Sequence, residues 1–388
     1  MPTSLTARRN ALFALFLLPG IGISSWVTRT PDVRDLLGVS TAQMGLILFG
    51  LSVGSMIGVL GSGPLVARVG TRRVILTGGV LTSSGVALIA IGALTVQPLV
   101  VTLGLTFFGL GMGCGEVAMN VDGAEVERLM LRSVMPTLHG FFSFGTVIGA
   151  VIGMALTAAR FPVGWHLLIT AIVMIGAVLY SVRYVPAGFG IHAPEHHEQH
   201  ATGKPVWTDV RLIMIGGLVL ALAMSEGSAG DWLPLLMVDG HDFPKSIGSA
   251  TYAIFAVCMT VGRFGGSWFV NRFGRVAVLA TSAAIAGIGI AVVVFVDNQI
   301  AAAIAVVLWG IGTSLGFPVA MSAAGDSGSN PHARVQFTAT VGYIAFLVGP
   351  PLLGFLGEHF GLRLAMVVVL VLVAIAIALS PGAKKPAR

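Results

Sequence analysis

Twelve apolar windows, most of them about 20 residues long, run along nearly the whole sequence. A helix needs about 20 consecutive apolar residues to cross the hydrocarbon core of a bilayer. Only 10% of the 388 residues are charged, against about 25% in a soluble domain, so the chain cannot cover a water-facing surface. The sequence therefore predicts an all-α membrane protein and excludes a soluble enzyme. The windows fall at residues 11–28, 42–66, 74–95, 98–121, 136–158, 163–184, 211–237, 247–270, 276–296, 300–324, 335–357 and 364–380.

The first window follows Arg8 and Arg9 and therefore starts like a signal peptide. No small-residue cleavage site follows it, whereas eleven further windows do. We therefore expect it to be a retained first helix.

Basic residues are distributed unequally between the two sides that these windows define. An even number of spans puts both termini on one side, and the connections on that side carry sixteen Lys and Arg, against five on the opposite side. Because Lys and Arg accumulate in cytoplasmic loops, we expect both termini in the cytoplasm. The net charge of +6 then follows from topology and indicates no nucleic-acid partner.

The longest connection, residues 186–210, divides the sequence into an N-terminal half, 1–185, and a C-terminal half, 211–388. We expect it to be a cytoplasmic linker. It contains a cluster of metal-binding residue types whose spacing matches no defined site, and a solvated linker is the simpler interpretation: His192, Glu195, His196, His197, Glu198 and His200. Cys114 and Cys258 lie singly in apolar windows. We therefore expect no metal and no cofactor.

The two halves repeat each other at an offset of about 204 residues, which indicates two structurally similar halves. The loop at 63–73, after the second window, corresponds to 267–275, after the eighth. The matched positions are Arg68 and Arg272, Gly70 and Gly274, and Asp122 and Asp326.

This pattern resembles the major facilitator superfamily, in which a Gly-x-x-x-Asp-Arg-x-Gly-Arg-Arg loop joins helices two and three and is echoed between helices eight and nine. The resemblance covers the whole chain. The residues 116–124, 225–234 and 349–351 also look like those of uncharacterised bacterial inner-membrane permeases of the YbjJ type. The positions of the cytoplasmic loop motif are Gly63, Arg68, Gly70, Arg72, Asn271, Arg272, Gly274 and Arg275.

The resemblance implies two pseudo-symmetric six-helix bundles in a bacterial inner membrane. It also implies a solute site between the halves near the midplane and alternating access by rocking of the halves. The Asp of the loop motif is replaced by Ala67 in the first copy and by Asn271 in the second. A weaker cytoplasmic latch is therefore implied, unless Glu125, Glu127 or Asp326 takes the place of that acid. The Gly-Pro step of drug/proton antiporters is absent from the fifth window, which argues against a multidrug exporter.

Glu116 lies in the fourth window, roughly 9 Å from its middle at a rise of 1.5 Å per residue. Asn120 lies one turn further along on the same face. A charged side chain near the bilayer centre costs about 2.5–3.5 kcal/mol, so such a residue is a functional candidate. We expect Glu116 and Asn120 to bind a proton or a polar solute, with His139 as a candidate relay. The alternatives are a bundle ion pair for Glu116 and a structural role for His139.

Glu226 lies near the middle of the seventh window and is the second candidate for proton or solute binding, since neither acid has a partner nearby in the sequence. In the superfamily, helices one, four, seven and ten line the cavity. Asp231 and Arg29 lie near the outer ends of windows seven and one, where a gate salt bridge and simple solvation are both open. Trp26 and Trp232 lie at equivalent depths, either as interfacial belt residues or as stacking walls for a solute.

Arg263 in the eighth window could bind an anionic substrate, although its place just before the loop motif favours a structural ion pair. Trp309, Phe317 and Tyr343 are candidate cavity aromatics, with helix packing as the alternative. Six glycines are expected at close helix contacts: Gly111, Gly115, Gly145, Gly149, Gly312 and Gly316.

These features predict a monomeric, proton-coupled carrier of a small polar organic solute, such as a sugar or sugar acid, and not an enzyme. Its partners would be the lipid bilayer, the solute and protons. The alternative function is proton-driven export of a small metabolite or toxic compound, which would need the same acidic residues and the same cavity. A membrane sensor without transport is less favoured, because nothing would then retain acids within the bilayer.

Overall fold

The computed structural model describes residues 4–132, 134–191, 206–328 and 330–384, and within these ranges the regular structure is entirely helical. In this part of the chain, twelve helices or helix pairs are long and apolar enough to cross a membrane, so the predicted number of spans is confirmed. The chain divides into two compact units, Met1–Glu198 and Gln199–Arg388, named unit 1 and unit 2 below. The predicted histidine cluster at 192–200 lies outside the described residues.

Unit 1 contains six long helices and one short helix that the apolar windows did not predict. The short helix, α2, carries a proline in its first turn and ends at Gly38, whose φ of 63° suits glycine. With only eight residues, four of them buried, it is too short and too polar to register as an apolar window. The helices are α1 Leu5–Val27, α2 Thr30–Leu37, α3 Thr41–Val69, α4 Thr71–Leu94, α5 Pro98–Met130, α6 Met135–Ala158 and α7 Val163–Ser181.

Unit 2 builds its six spans from seven helices, because the tenth span is broken. The window 300–324 predicted one continuous helix, whereas α11 ends at Thr313 and α12 begins at Gly316. Pro318 explains the interruption, since its ring clashes with the carbonyl of Ser314, four residues earlier, and its nitrogen carries no hydrogen to donate. The helices are α8 Val210–His241, α9 Lys245–Phe273, α10 Arg275–Phe295, α11 Gln299–Thr313, α12 Gly316–Gly325, α13 Pro331–Phe360 and α14 Leu362–Leu379.

Several helices extend beyond the apolar windows that predicted them. Helix α1 begins at Leu5 instead of residue 11, and α5 continues to Met130 instead of residue 121. Hydropathy detects only the part of a helix that matches the hydrocarbon core, whereas backbone hydrogen bonding continues into the polar layer. The longer α5 moves its midpoint to Cys114, so that Glu116 lies only about 3 Å from the middle of the helix.

Glycines bring the helices of each unit into close contact. A Cβ atom at Gly111 on α5 would overlap the backbone of Gly78 and Thr82 on α4, and one at Gly145 on α6 would overlap Leu17 on α1. The six predicted glycine contacts are confirmed, since each of these residues faces atoms of a neighbouring helix. Membrane helices associate through small residues of this kind, because lipid removes the hydrophobic drive between them.

Candidate functional site

Glu226 and Arg263 form an ion pair within the membrane-spanning part of unit 2. Glu226 lies at the middle of α8, and Arg263 lies on α9 about 6 Å from that helix's midpoint. The Arg263 Nη2 atom donates to Glu226 Oε1 at 2.7 Å. The side chains remain 26% and 35% exposed, respectively. Glu226, which has no partner nearby in the sequence, is therefore paired with a residue 37 positions away, and the ion pair expected for Arg263 is present.

The guanidinium of Arg263 is only partly used by this pair. Its bond to Glu226 is the only hydrogen bond that it makes to the described residues. In unit 1, by contrast, Arg8 holds Asp122 through two bonds, from Nε at 3.0 Å and from Nη2 at 2.6 Å. Arg263 thus keeps donors that are unengaged and accessible.

The broken tenth span lies beside this ion pair. Gly262, next to Arg263, packs against Ser314 at the break. Ser225, next to Glu226, lies 3.1 Å from the hydroxyl of Thr313, the last residue of α11. Three elements of unit 2 therefore meet at one level near the middle of their lengths: α8, α9 and the break between α11 and α12. Interrupted helices in membrane carriers typically mark binding sites, because their free backbone ends are polar.

Trp309 does not line a cavity in this structure. Its ring is fully buried, packs edge-on against Phe255 at 6.1 Å, and donates from Nε1 to the Ser225 hydroxyl at 2.9 Å. Trp309 therefore contributes to helix packing, which was the alternative to its role as a cavity aromatic. Phe317 on α12 and Tyr343 on α13 are half-buried, and the Phe317 ring packs against Gly342.

Glu116 on α5 of unit 1 is exposed near the middle of its helix. Within the described ranges its carboxylate has no hydrogen bond or ion pair. A charged carboxylate that faced lipid within the apolar core of the bilayer would be costly, so the exposed side chain is expected to face water. One turn further, the Oδ1 atom of Asn120 is buried without a hydrogen-bond partner. The bundle ion pair that was the alternative for Glu116 is not formed by the described residues of unit 1.

His139, the candidate relay, is exposed on α6 and contacts Phe16 edge-on, with ring centroids 5.4 Å apart. It makes no hydrogen bond to Glu116, which has no partner in the described part of unit 1. A direct proton relay between the two side chains is therefore not present in this structure.

The two tryptophans at equivalent depths are core residues. Trp26 is 1% exposed and Trp232 is fully buried, so neither belongs to an interfacial belt or forms a wall open to a solute.

Arg29, a candidate gate residue, binds two groups within unit 1. Its Nη2 atom donates to the Phe161 carbonyl at 2.5 Å, and its Nε atom lies 2.9 Å from the Asp32 carboxylate. Asp231 on α8 is half-buried and has no hydrogen-bond partner among the described residues of unit 2.

The two copies of the loop motif adopt the same backbone conformation. Gly70 has φ and ψ of 83° and 160°, and Gly274 has 80° and 161°. Each caps the preceding helix by donating its N–H at 2.9 Å to a residue four positions earlier. The positive φ explains the glycine in both copies. Gly63, Arg68, Asn271 and Arg272 are exposed, whereas Arg72 and Arg275 are half-buried.

An aspartate near this loop is bound in each unit, but by different residues. In unit 1, Asp122 is fully buried and binds Arg8 and the Thr71 hydroxyl, the latter at 3.2 Å. In unit 2, Asp326 accepts from Arg275 Nη2 at 2.7 Å. Thr71 and Arg275 occupy the same position at the repeat offset, so the contact is retained although its chemistry differs. The role of Arg8 was missed because it was counted only among the basic residues that set orientation.

The acids considered as replacements for the missing loop Asp have partners within their own units. Glu125 is held by Arg128 through two bonds of 2.7 and 2.8 Å. Glu127 accepts from the backbone N–H of Val134 and Met135 at the start of α6. Another acid of unit 2, Asp209, lies just before α8, and the hydrogen bond that it accepts from Arg334 lowers its pKa.

Comparison with known proteins identifies the family. The sequence model of the family described as Major Facilitator Superfamily matches residues 12–336 of this chain. An uncharacterised MFS-type transporter of Yersinia pestis is 31% identical over 351 residues, covering 90% of this chain and 89% of the relative.

Two relatives with named solutes are more distant. The gentisate transporter of Corynebacterium glutamicum is 26% identical and covers 82% of this chain and 73% of its own. The L-fucose-proton symporter of Escherichia coli is 25% identical and covers 71% of this chain and 70% of its own.

Among solved structures, the nucleoside transporter NupG (D323A mutant) has a TM-score of 0.77 at 13% identity and covers 97% of this chain and 100% of that chain. This likeness shows the fold. The YbjJ-type resemblance stays a prediction. With a family match over most of its length and the twelve spans that the fold requires, the chain belongs to the major facilitator superfamily, whose members are membrane transporters and not enzymes.

Proposed function

We propose that this protein is a proton-coupled secondary transporter that carries a small polar organic solute across a bacterial inner membrane by alternating access. The observation that carries the proposal is Glu116, an exposed carboxylate at the middle of α5 that has no hydrogen bond or ion pair among the described residues of its unit. The protein functions as a monomer with both termini in the cytoplasm. The Glu116 carboxylate exchanges its proton as the site opens to either side of the membrane.

A carboxylate without a counter-ion is suited to proton coupling. In an aqueous cavity it ionises, whereas exclusion of water favours its neutral form, so changing access changes its protonation. A protonated Glu116 would also have an acceptor one turn away, in the unpartnered Oδ1 atom of Asn120.

The nature of the solute is supported by the named relatives. Gentisate, L-fucose and nucleosides are small polar organic molecules, and the symporter among these relatives is named for its proton coupling. Polar side chains that are accessible near mid-membrane in this chain, Glu116, Glu226 and Arg263, suit such solutes and would not favour an apolar drug.

The test is flux into liposomes that contain the purified protein, with a panel of sugars, nucleosides and aromatic acids. Wild-type protein should accumulate at least one solute when the external pH is lower than the internal pH. Glu116→Gln, which cannot ionise, should lose accumulation by the pH gradient while retaining solute exchange without a gradient.

The matched control is Glu125→Gln on the same helix, because Glu125 is held by Arg128 and is assigned no coupling role. It should accumulate solute as the wild type does. Accumulation by Glu116→Gln at the wild-type level would refute the assignment, and a failure of the wild type to move any member of the panel would count against the proposed function.

A further inference from the structure

The ion pair between Glu226 and Arg263 differs from the buried ion pair of unit 1 in ways that suggest exchange. Arg8 holds Asp122 through two hydrogen bonds, and the two side chains are only 7% and 0% exposed. Arg263 holds Glu226 through one, and both side chains are partly accessible. A pair that served only to hold α8 and α9 together would gain from a second bond, because two parallel bonds are stronger and fix the geometry.

The unused donors of Arg263 suit a planar anion. A guanidinium presents five N–H donors in a rigid fork that matches the two oxygens of a carboxylate. An incoming carboxylate that formed two bonds would therefore compete effectively with the single bond of Glu226. A neutral sugar is a weaker competitor, because its hydroxyl groups carry no negative charge to replace that of Glu226 beside the guanidinium.

The break in the tenth span lies beside the arginine. Helix α12 begins at Gly316 and has no side-chain cap at its first turn. Ser314, the C-cap of α11, packs against Gly262, the neighbour of Arg263. The negative end of the α11 dipole and the positive end of the α12 dipole meet at this break, so it contributes polar backbone ends, and the positive charge at this place is that of Arg263.

We propose that the transported solute carries a carboxylate group and that Arg263 binds it in exchange for Glu226. This inference rests on the proposed transport function and deepens it. No covalent bond changes: the solute carboxylate takes the place of the Glu226 carboxylate at Arg263, and the displaced Glu226 takes up one proton from water. This proton enters with the solute in addition to the one that Glu116 exchanges, so the total charge of Arg263, Glu226 and the solute carboxylate is the charge that the pair had before.

The first test uses benzoate as a probe, because the exchange does not depend on which acid is the natural solute. Glu226→Gln should lower the thermal unfolding midpoint of the detergent-purified protein, since it leaves Arg263 without its counter-ion. Sodium benzoate should raise that midpoint in proportion to the logarithm of its concentration, whereas an equal concentration of sodium chloride should not.

The control is the double variant Glu226→Gln/Arg263→Gln, in which benzoate should have no more effect than chloride. Arg263→Lys provides a second variant that keeps the charge and favours folding. It should bind benzoate more weakly than Arg263 does in the Glu226→Gln background, because an ammonium lacks the paired fork. Equal stabilisation of the single and double variants by benzoate would overturn the assignment.

The second test separates this inference from the transport function itself. Liposomes that contain the wild type are offered acids and their neutral amides as matched pairs, including benzoate with benzamide and gentisate with its amide, together with L-fucose. Carboxylates alone should accumulate, and Arg263→Gln should abolish their uptake. Accumulation of fucose or an amide, coupled to protons and dependent on Glu116, would overturn the carboxylate assignment and leave the proposed function standing.

Discussion

The ion pair between Arg8 and Asp122 joins α1 to α5 near the repeated loop of unit 1. Both side chains are buried, at 7% and 0% exposure. The Arg8 guanidinium also lies 5.0 Å from the centre of the Phe189 ring, which follows α7. A single arginine therefore connects the first span, the fourth span and the segment after the sixth.

Removing the charge of Arg8 should be strongly destabilising. Arg8→Met would leave the Asp122 carboxylate buried without its partner, and breaking a buried pair in this way costs about 3–5 kcal/mol. We expect a clearly lower unfolding midpoint for the purified protein. The control, Arg128→Met, removes an exposed partner of Glu125 and should leave the midpoint unchanged. Similar midpoints for the two variants would show that burial does not decide the effect.

Single residues were the hardest feature to predict from the sequence. Asp122 and Asp326 stood out because the repeat places them at matching positions, whereas Arg8 is 114 residues away from its partner and no spacing rule connects them. The same reason hid the partner of Glu226, 37 residues along the chain. Glu116 was identifiable because its depth within an apolar window depends only on local sequence.

At the level of the helices, close packing through glycine has a direct consequence for stability. Gly111→Ala would place a methyl group against the backbone of α4, with Thr82 Oγ1 at 2.6 Å, and overpacking of this kind costs about 1–3 kcal/mol. The matched control is Gly176→Ala on α7, where no atom lies within 4 Å of the added methyl group.

Thermal unfolding of the two glycine variants checks this prediction. Gly111→Ala should unfold at a lower temperature than the wild type, and Gly176→Ala should be neutral or slightly more stable, since alanine favours a helix. If both variants behaved alike, the contact between α4 and α5 would have room that the structure does not show.

Hydropathy predicted the number and order of the spans, but not their interruptions. Pro318 coincides with the break of the tenth span, whereas Pro19, Pro64, Pro234 and Pro350 lie inside unbroken helices. Membrane helices tolerate proline because neighbouring groups satisfy the freed backbone. A proline alone therefore does not predict a break, and the neighbouring Gly316 and the packing of Leu222 against it could be recognised only in the structure.

For the whole molecule, the distribution of basic residues predicts orientation. Sixteen Lys and Arg on the side of the termini against five on the other side favour cytoplasmic termini. Gln97→Cys lies in the exposed connection between α4 and α5, and Lys384→Cys lies near the C-terminus. In intact cells, a membrane-impermeant thiol reagent should label residue 97 and not residue 384.

Both positions should be labelled after the cells are permeabilised, which controls for reactivity. The unmodified chain provides the background, since Cys114 is buried and Cys258 is half-buried. Labelling of residue 384 but not residue 97 in intact cells would show the opposite orientation.

The repeat and the superfamily were also evident in the sequence, because they depend on a pattern along the whole chain and not on any one contact.

The position of Glu226 and Arg263 on consecutive helices has a consequence for biogenesis. Only three residues, 242–244, separate α8 from α9, so the two helices can enter the membrane as a hairpin. Each charge alone would penalise insertion by about 2.5–3.5 kcal/mol, whereas a hairpin can neutralise both charges before later spans are synthesised. Arg8 has no such early partner, because Asp122 follows three spans later, and it must remain near the membrane surface until α5 emerges from the ribosome.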